Sequence, residues 1–401
     1  MAGLAGLALK KGFKVTGQDK SYFPPMSDQL RSLEIQENKT EKPISDLKKS
    51  DAIIIGNSQS RGNESVEYIL DNQLNYFSGP EWIKENILKD KYVFVVSGTH
   101  GKTTTTSMLI KILQDNNKNP SFLVGGIYKE ENISYKYTNS DYFVIEGDEY
   151  DTSFFDKRSK FFHYKPNTLI INNLEYDHSD IFDSLEQIKK QFHFLIRTMP
   201  SDSNIIYDGN DQNILDLLEM GCWAKKIHYK KINDIPNIFG DHNLKNASAA
   251  LAAANLISIQ EKNSLKALEK FSGVKRRLEL IENKKFIVYD DFAHHPTAIS
   301  SSIQAVKSIH PGKNIAVIFE IRSNSMISGS HKKTFLKSFL NVNELYIYCE
   351  KEITWLDENS NIAVYKDIEQ ITQQINKNID NVDIVIVMSN GDTTKILKQL
   401  E

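Results

Sequence analysis

The chain has 401 residues, of which 40% are hydrophobic and 25% charged, a balance typical of globular domains rather than of disordered or collagen-like chains. A formal net charge of −3 provides no overall field to attract nucleic acid or an anionic membrane, so neither is expected as a partner. Cys222 and Cys349 match no metal-ligand spacing, which favours two reduced thiols in a cytoplasmic protein. No apolar run reaches the roughly 18 residues that a membrane-spanning helix requires.

Three series of apolar strands and helical patterns follow one another along the chain and predict α/β domains. The first has a helix over 2–11 and strands at FKVTGQD and at IIIGNS. The second has the strands YVFVVS, FVIEGDE and TLIINNL with helical stretches between them, and the third has FIVYDDF, IAVIFE, ELYIYCE and DIVIVMSN. Apolar runs of this kind indicate parallel strands buried on both faces. Boundaries near Lys89 and Ser272 divide the chain into three domains.

The segment VVSGTHGKTTTTSMLIKIL predicts a phosphate-binding loop between a strand and a helix. Gly98 and Gly101 let backbone amides approach an anion, and a helix N-terminus adds N–H donors and a partial positive charge. Lys102 supplies a charge toward the outer phosphates of a nucleotide, and the hydroxyl of Thr103 suits Mg²⁺. The loop is shorter than the strict pattern, since Val96 stands where a glycine is usual. A tight turn with Thr103 as a helix cap is the alternative.

Acidic residues follow the next two predicted strands. Glu146, Asp148, Glu149 and Asp151 come after the first, and EYDH at 175–178 comes after the second. Because parallel strands deliver their carboxyl ends to one edge of a sheet, both groups are expected near the phosphate loop. A carboxylate such as Glu146 suits Mg²⁺, whereas histidine is an unusual ligand for it. Solvated loop side chains are the alternative for each.

Six segments in this order resemble the Mur ligase family: SGTHGKTTTT, IEGDEYD, NNLEYDH, GDHNLKNASAALAAA, SGVKRRLE and YDDFAHHPT. The resemblance implies a three-domain α/β architecture, with an N-terminal Rossmann-like domain that binds a UDP-sugar (1–88), a central P-loop ATPase domain (89–272) and a C-terminal Rossmann-like domain that binds the incoming peptide (273–401). Family members begin with a strand and a glycine-rich turn that hold the UDP. This sequence starts inside the helix that follows, so the N-terminal domain is expected to be incomplete.

The family resemblance also implies an ATP- and Mg²⁺-dependent amide synthesis through an acyl phosphate. The stretch that includes FFDKRSKF, together with RSNSM, is similar to the branch that joins UDP-N-acetylmuramate to the tripeptide L-alanyl-γ-D-glutamyl-meso-diaminopimelate in peptidoglycan recycling. One alternative is a ligase that uses L-alanine as the amine, and another is a nucleotide-binding remnant without a complete UDP site. An unrelated phosphate-loop kinase is disfavoured by the last segments. The protein is expected to be a monomer or a weak homo-oligomer.

The resemblance assigns roles to individual residues. Catalysis is assigned to Lys102, Glu146, His178 and Arg276, and the metal to Thr103, Glu146 and His178. ATP binding is assigned to Gly98, Thr99, His100, Gly101, Lys102, Thr103, Thr104, His242, Asn243, Asn246, Arg276, Asp290 and Asp291, and substrate binding to Arg322 and His294.

Several of these residues have a plainer interpretation. Taken alone, Asn243 and Asn246 suit a helix cap just before a small-residue helix, and the arginine pair at 276–277 suits a solvated face. The basic residues of FDKRSKF face either an acidic tripeptide or nucleotide sugar, or only solvent. No general base stands out. An α-amine with a pKa near 8 is partly neutral at cytoplasmic pH and does not require one.

Overall fold

The computed structural model of the chain describes residues 1–22, 26–177, 181–283, 285–356 and 362–400. Its α/β fold separates into two compact units. The first comprises Met1–Glu175, Ser184–Lys231 and Asn246–Phe271, and the second comprises Tyr176–Asp183, Ile232–Lys245 and Ser272–Glu401. The three domain ranges expected from the sequence, 1–88, 89–272 and 273–401, remain predictions.

The N-terminal part of the first unit contains two separate pairs of parallel strands. β1 pairs with β2, and β3 pairs with β4. The helix predicted over 2–11 is confirmed, and it ends where Gly12 takes the left-handed conformation at φ 102°. The elements are α1 (Ala2–Lys11), β1 (Thr16–Asp19), α2 (Met26–Ser32), β2 (Gln36–Lys39), β3 (Ile53–Ile55), α3 (Glu64–Asp71), β4 (Tyr76–Ser78) and α4 (Gly79–Ile83).

The central sheet of this unit has seven strands in the order β13-β12-β11-β5-β8-β6-β7, all parallel except β7. Strands β5, β8 and β11 are almost completely buried, as their apolar runs predict. The elements are β5 (Tyr92–Ser97), α5 (Lys102–Asp115), β6 (Ser121–Tyr128), β7 (Ile133–Lys136), β8 (Tyr142–Glu146), β9 (Asp151–Ser153), β10 (Asp156–Ser159), β11 (Thr168–Ile171), α6 (Leu185–Ile196), β12 (Asn204–Tyr207), α7 (Gln212–Glu219), β13 (Lys225–His228), α8 (Asp241–Leu256) and α9 (Glu261–Leu268).

The expectation of helical stretches between all three strands of this series was wrong. Only α5 fits it, because the chain between α5 and β8 forms the antiparallel strands β6 and β7. Between β8 and β11 the chain forms the β9–β10 hairpin and a single 3₁₀ turn at Lys160–His163. Gly125 and Gly126 interrupt SFLVGGIY, and the hairpin is short and polar, so neither segment carries the alternation by which a strand is recognised.

The second unit contains a six-stranded sheet in the order β14-β15-β19-β16-β17-β18, parallel except for β14. All four strands predicted in the third series are confirmed, with some shortened ends. The elements are β14 (Glu279–Ile281), β15 (Ile287–Asp291), α10 (Pro296–Ile309), β16 (Ile315–Glu320), α11 (Asn324–Ile327), α12 (Lys332–Phe335), β17 (Glu344–Tyr348), β18 (Val364–Tyr365), α13 (Ile368–Lys377), β19 (Ile384–Met388) and α14 (Thr394–Leu400).

Helix α8 corrects one expectation about two asparagines. It begins at Asp241, so Asn243 and Asn246 lie inside it and not just before it. The first turn starts well before the small residues at 247–250, since the amides of Asn243 and Leu244 donate to the carbonyl of Gly240 at 3.0 and 3.1 Å. Within the described ranges, no helix is long and apolar enough to cross a membrane. Both cysteines are free thiols, as expected.

The N-terminal helix α1 packs closely on β6 and β7. A Cβ atom added at Gly6 would lie 2.1 Å from the ring of Tyr135, and one at Gly3 would lie 2.6 Å from Leu123 Cδ1. In α2, Gln29 Oε1 accepts hydrogen bonds from the backbone amide of Ser134 at 3.2 Å and from its hydroxyl at 2.8 Å. The N-terminal elements are therefore held against the edge of the central sheet.

The close approach of α1 to Tyr135 predicts that a Gly6→Ala substitution lowers the free energy of unfolding. Alanine normally stabilises a helix interior by about 1 kcal/mol relative to glycine. At Gly6 the clash with Tyr135 should outweigh that gain, with a loss of about 1–3 kcal/mol typical of overpacking, measured by thermal or urea unfolding. Gly79→Ala is the control, since its added Cβ would lie 3.5 Å from Leu4. A Gly6→Ala protein at least as stable as the wild type would contradict the packing described.

Candidate active site

The phosphate loop lies between β5 and α5 and adopts a backbone that two glycines make possible. Gly98 has φ 124° and Gly101 has φ 79°, both in the region that favours glycine. A Cβ at Gly98 would lie 2.8 Å from the carbonyl oxygen of Asn173, and one at Gly101 would lie 2.4 Å from Asn246 Oδ1. Asn246 therefore lies directly beside the loop; its assignment to ATP binding stays a prediction.

Two asparagines after β11 hold the loop in place. The amide of Thr99 donates to the carbonyl of Asn173 at 3.1 Å, and the amide of His100 donates to Asn173 Oδ1 at 2.8 Å. Asn172 Nδ2 donates to the carbonyl of His100 at 3.2 Å. The backbone amides of Thr99 and His100 are thus already hydrogen-bonded to Asn173. The N–H groups that remain to bind a phosphate are those of the first helical turn, at 102–104.

The sequence interpretation missed the role of Asn172 and Asn173, although it singled out the segment NNLEYDH for its acidic residues. The signal was available: β11 is parallel to β5, so the residues after both strands come to the same edge. Short side chains with both a donor and an acceptor at that position are suited to bonding a neighbouring loop.

Lys102 is held by a carboxylate. Its ammonium group donates to Glu149 Oε1 and Oε2 at 3.0 and 2.8 Å and to the carbonyl of Gly98 at 2.8 Å. Burial alone would lower the pKa of Lys102, but the nearby carboxylates, Glu149 above all, raise it on balance above its usual value. The side chain therefore carries a full positive charge beside the helix N-terminus.

Thr103 and Glu146 form the second part of the site. Thr103 Oγ1 donates to Glu146 Oε1 at 3.0 Å, and the amide of Gly125 donates to Glu146 Oε2 at 2.8 Å. A hydroxyl and a carboxylate oxygen in contact are ligands of the type that Mg²⁺ prefers. The third metal ligand expected from the sequence, His178, lies outside the described residues.

The basic residues of the FDKRSKF segment pair with acids of their own neighbourhood. Lys157 Nζ lies 2.6 Å from Asp151, and Lys160 Nζ lies 2.6 Å from Asp148. Arg158 bonds both oxygens of Asp156, at 2.9 and 2.7 Å. These pairs stabilise the β9–β10 hairpin next to the phosphate loop.

Three residues of the second unit that were expected to bind ATP lie at the carboxyl end of β15 or contact it: Arg276, Asp290 and Asp291. Arg276 Nε donates to Asp290 Oδ2 at 3.2 Å, and its guanidinium also donates to the carbonyl of Ser389 at 2.8 Å. Burial raises the pKa of Asp290 above its usual value, although Arg276 opposes the shift. Asp291 accepts from the amides of Leu278 and Ala293 at 3.0 and 2.7 Å, which ties both of its oxygens to the local backbone.

The other predicted residues of this unit have ordinary local bonds. His294 Nδ1 lies 2.9 Å from the carbonyl of Phe292, and Asn243 Nδ2 donates to the carbonyl of Phe239 at 2.9 Å. His242 lies in the first turn of α8. Arg322, with 59% of its side chain exposed, lies 3.5 Å from Glu320 Oε1. An exposed guanidinium oriented by a buried carboxylate is suited to fork onto a peptide carboxylate.

Comparison with known proteins gives a consistent result. A model of the Mur ligase middle domain matches residues 96–235, and one of the Mur ligase glutamate ligase domain matches residues 276–391. Relatives named UDP-N-acetylmuramate--L-alanyl-gamma-D-glutamyl-meso-2,6-diaminoheptandioate ligase, from Haemophilus influenzae and Escherichia coli, are 38% identical over 98% of this chain and 94% and 93% of their own length. A UDP-N-acetylmuramate--L-alanine ligase from Clostridium tetani is 30% identical over 98% of this chain and 94% of its own.

Solved structures agree with the sequence comparisons. A murein peptide ligase from Psychrobacter arcticus aligns with a TM-score of 0.76 and 33% identity over 100% of this chain and 96% of that one. The corresponding ligase from Neisseria meningitides aligns with a TM-score of 0.65 and 40% identity over 69% of this chain and 96% of that one. A UDP-N-acetylmuramate-alanine ligase from Thermotoga maritima shares the fold, with a TM-score of 0.78 at 20% identity.

The contacts of Asn173 with the phosphate loop predict that Asn173→Ala lowers both stability and nucleotide affinity. The substitution leaves the amide of His100 without its acceptor, which should cost about 1–3 kcal/mol of stability and weaken nucleotide binding. Asn116→Ala is the matched control, because Asn116 bonds Ile112 at the far end of the same helix. Calorimetric titration with ATP should show weaker binding only for the first variant. Equal affinity in both variants would argue against the positioning role.

His163, in the 3₁₀ turn after the β9–β10 hairpin, should make the stability of the protein depend on pH. Burial lowers the pKa of His163 below its usual 6.5, although Asp156, 2.9 Å away, opposes the shift. Because the folded pKa lies below the unfolded one, this contribution to stability is present above pH 6.5 and is lost as the pH falls through the folded pKa. The unfolding midpoint of the wild type should thus fall more than that of His163→Gln between pH 7.5 and 5. Parallel curves would contradict this assignment.

Proposed function

The chain belongs to the Mur ligase family, and we propose that it joins UDP-N-acetylmuramate to the tripeptide L-alanyl-γ-D-glutamyl-meso-diaminopimelate in an ATP-dependent reaction of peptidoglycan recycling. The observation that carries this choice of substrates is the similarity over nearly the whole chain to ligases named for that reaction, at higher identity than to the L-alanine ligases. The reaction consumes ATP and a nucleotide sugar, so we place it in the cytoplasm.

The chemistry requires activation, because a carboxylate is a poor electrophile. Transfer of the γ-phosphoryl group of ATP to the lactyl carboxylate of the muramate gives an acyl phosphate and ADP. The terminal amine of the tripeptide attacks its carbonyl carbon, and the amide forms as phosphate and a proton leave. The main task of the protein is to hold these anions together and stabilise their charge.

The residues of the first unit are suited to that task. The ammonium of Lys102 neutralises charge on the transferring phosphoryl group, and the amides at 102–104 bind phosphate oxygens. Thr103 and Glu146 would hold Mg²⁺, with His178 as a further ligand, and the ion would supply Lewis-acid stabilisation of developing negative charge.

Residues of the second unit and of α8 are assigned further contacts in this proposal. Arg276 binds the nucleotide phosphates, and Asp290 and Asp291 bind the ribose. Asn246 contacts ATP together with His242 and Asn243. Arg322 and His294 bind the incoming peptide. The exposure of Arg322 and its contact with Glu320 support this role.

The proposal is tested by following ATP-dependent phosphate release with UDP-N-acetylmuramate and either the tripeptide or L-alanine. The tripeptide should give the higher kcat/KM, and mass spectrometry should find the muramoyl tripeptide. A higher kcat/KM for L-alanine would identify the chain as an L-alanine ligase instead, and release with neither would support a nucleotide-binding remnant.

The same assay tests the role of Lys102. Lys102→Ala should lower kcat by roughly 100-fold or more, the size expected when a group that stabilises transition-state charge is removed. Lys111→Ala is the control, because Lys111 lies more than two turns further along the same helix and pairs there with Asp115 and Glu130. An unchanged rate in Lys102→Ala would exclude the phosphate-loop mechanism.

A further inference from the structure

Of the acidic side chains that follow β8, Glu149 is the one directed at the phosphate-loop lysine. Its side chain is 3% exposed and that of Lys102 is 13% exposed, so the two charges meet in a site largely closed to water. The other three acids of this segment bond elsewhere, Glu146 to Thr103, Asp148 to Lys160 and Asp151 to Lys157. The pairing therefore singles out one carboxylate among four.

The contacts of Lys102 use the full hydrogen-bonding capacity of its ammonium group. An ammonium has three N–H donors, and those of Lys102 are directed to the two oxygens of Glu149 and to loop carbonyls, that of Gly98 at 2.8 Å and, more weakly, that of Thr99 at 3.4 Å. A phosphate oxygen can bond this ammonium only by replacing one of these acceptors. The carbonyl of Gly98 belongs to the loop itself, so the carboxylate is the exchangeable partner.

From this geometry we propose that Glu149 is a positioning residue that stands in for the nucleotide phosphate on Lys102. In the nucleotide-free protein it compensates a buried positive charge, which would otherwise be costly. When ATP binds, its phosphate takes the place of the carboxylate, and when ADP and phosphate have left, Glu149 pairs with the lysine again. Glu149 thus competes with ATP and weakens its binding, while it keeps the empty site folded and charged. The inference relies on the proposed use of Lys102 for ATP.

A neutral substitution of the same shape distinguishes two roles of Glu149: competition with ATP for Lys102, and support of the fold alone. Glu149→Gln keeps the shape of the side chain and removes the charge, so Lys102 is held less tightly. MgATP titrated calorimetrically without muramate or peptide should bind about 5- to 50-fold more tightly to this variant than to the wild type. In turnover the gain should appear as a lower KM for ATP and not as a higher kcat. A residue that only supports the fold would weaken ATP binding when replaced.

Three further variants make the result specific. Asp148→Asn removes an equal charge from the same segment but frees Lys160 instead, so its ATP affinity should stay within about 2-fold of the wild type. In a Lys102→Ala background, adding Glu149→Gln should give no gain. Thermal unfolding should show a lower midpoint for ligand-free Glu149→Gln and a larger rise on addition of ATP. If this variant does not fold, Glu149→Asp, with a shortened and poorly placed carboxylate, should show a smaller gain.

The proposal is overturned if Glu149→Gln binds MgATP with equal or lower affinity, or if Asp148→Asn gains as much. Because the titration contains no muramate and no amine, its outcome does not depend on which amine the enzyme uses. Failure of ligation together with tighter ATP binding would contradict the proposed reaction and leave the role of Glu149 intact. Normal ligation without tighter MgATP binding by Glu149→Gln would contradict the role of Glu149 and leave the proposed reaction intact.

Discussion

The structure around the phosphate loop depends on the compensation of one buried charge. A positive charge taken out of water is tolerated only when it is paired and hydrogen-bonded. Lys102 meets that condition through Glu149, and the neighbouring acids add to the negative potential that keeps its ammonium charged. In the proposed reaction, an ATP phosphate at the helix N-terminus therefore meets a lysine that is already charged.

The strand order brings these groups together. In the central sheet β5 lies between β8 and β11, so the loop after β5 is flanked by the acids after β8 and by the asparagines after β11. Each strand contributes different groups at the same edge: the phosphate loop follows β5, the carboxylates of Glu146 and Glu149 come from the end of β8, and the hydrogen bonds of Asn172 and Asn173 come from the residues after β11. Glycine is required at position 98 because the backbone of Asn172 and Asn173 approaches it too closely to leave room for a Cβ atom.

The sequence predicted much of this arrangement because buried parallel strands carry strong apolar runs and because the phosphate loop has a recognisable spacing. The contacts of Lys102 and Thr103 could not be predicted, since a spacing says nothing about which of four carboxylates reaches the lysine. Strand β6 was missed because two glycines interrupt its pattern, and β7 because it has only 4 residues. The hydrogen bond between Asn173 and His100 was missed because it joins residues far apart in the chain. The start of α8 was misplaced by a few residues, which moved Asn243 from a cap to the helix itself.

In the proposed reaction, the muramate carboxylate is activated by phosphorylation at the loop that contains Lys102. The most direct measurement uses UDP-N-acetylmuramate labelled with ¹⁸O in the lactyl carboxylate, the tripeptide and unlabelled ATP, with the released phosphate analysed by mass spectrometry. An acyl phosphate requires one labelled oxygen in each phosphate released. Amide formation with no ¹⁸O in the phosphate would contradict the account.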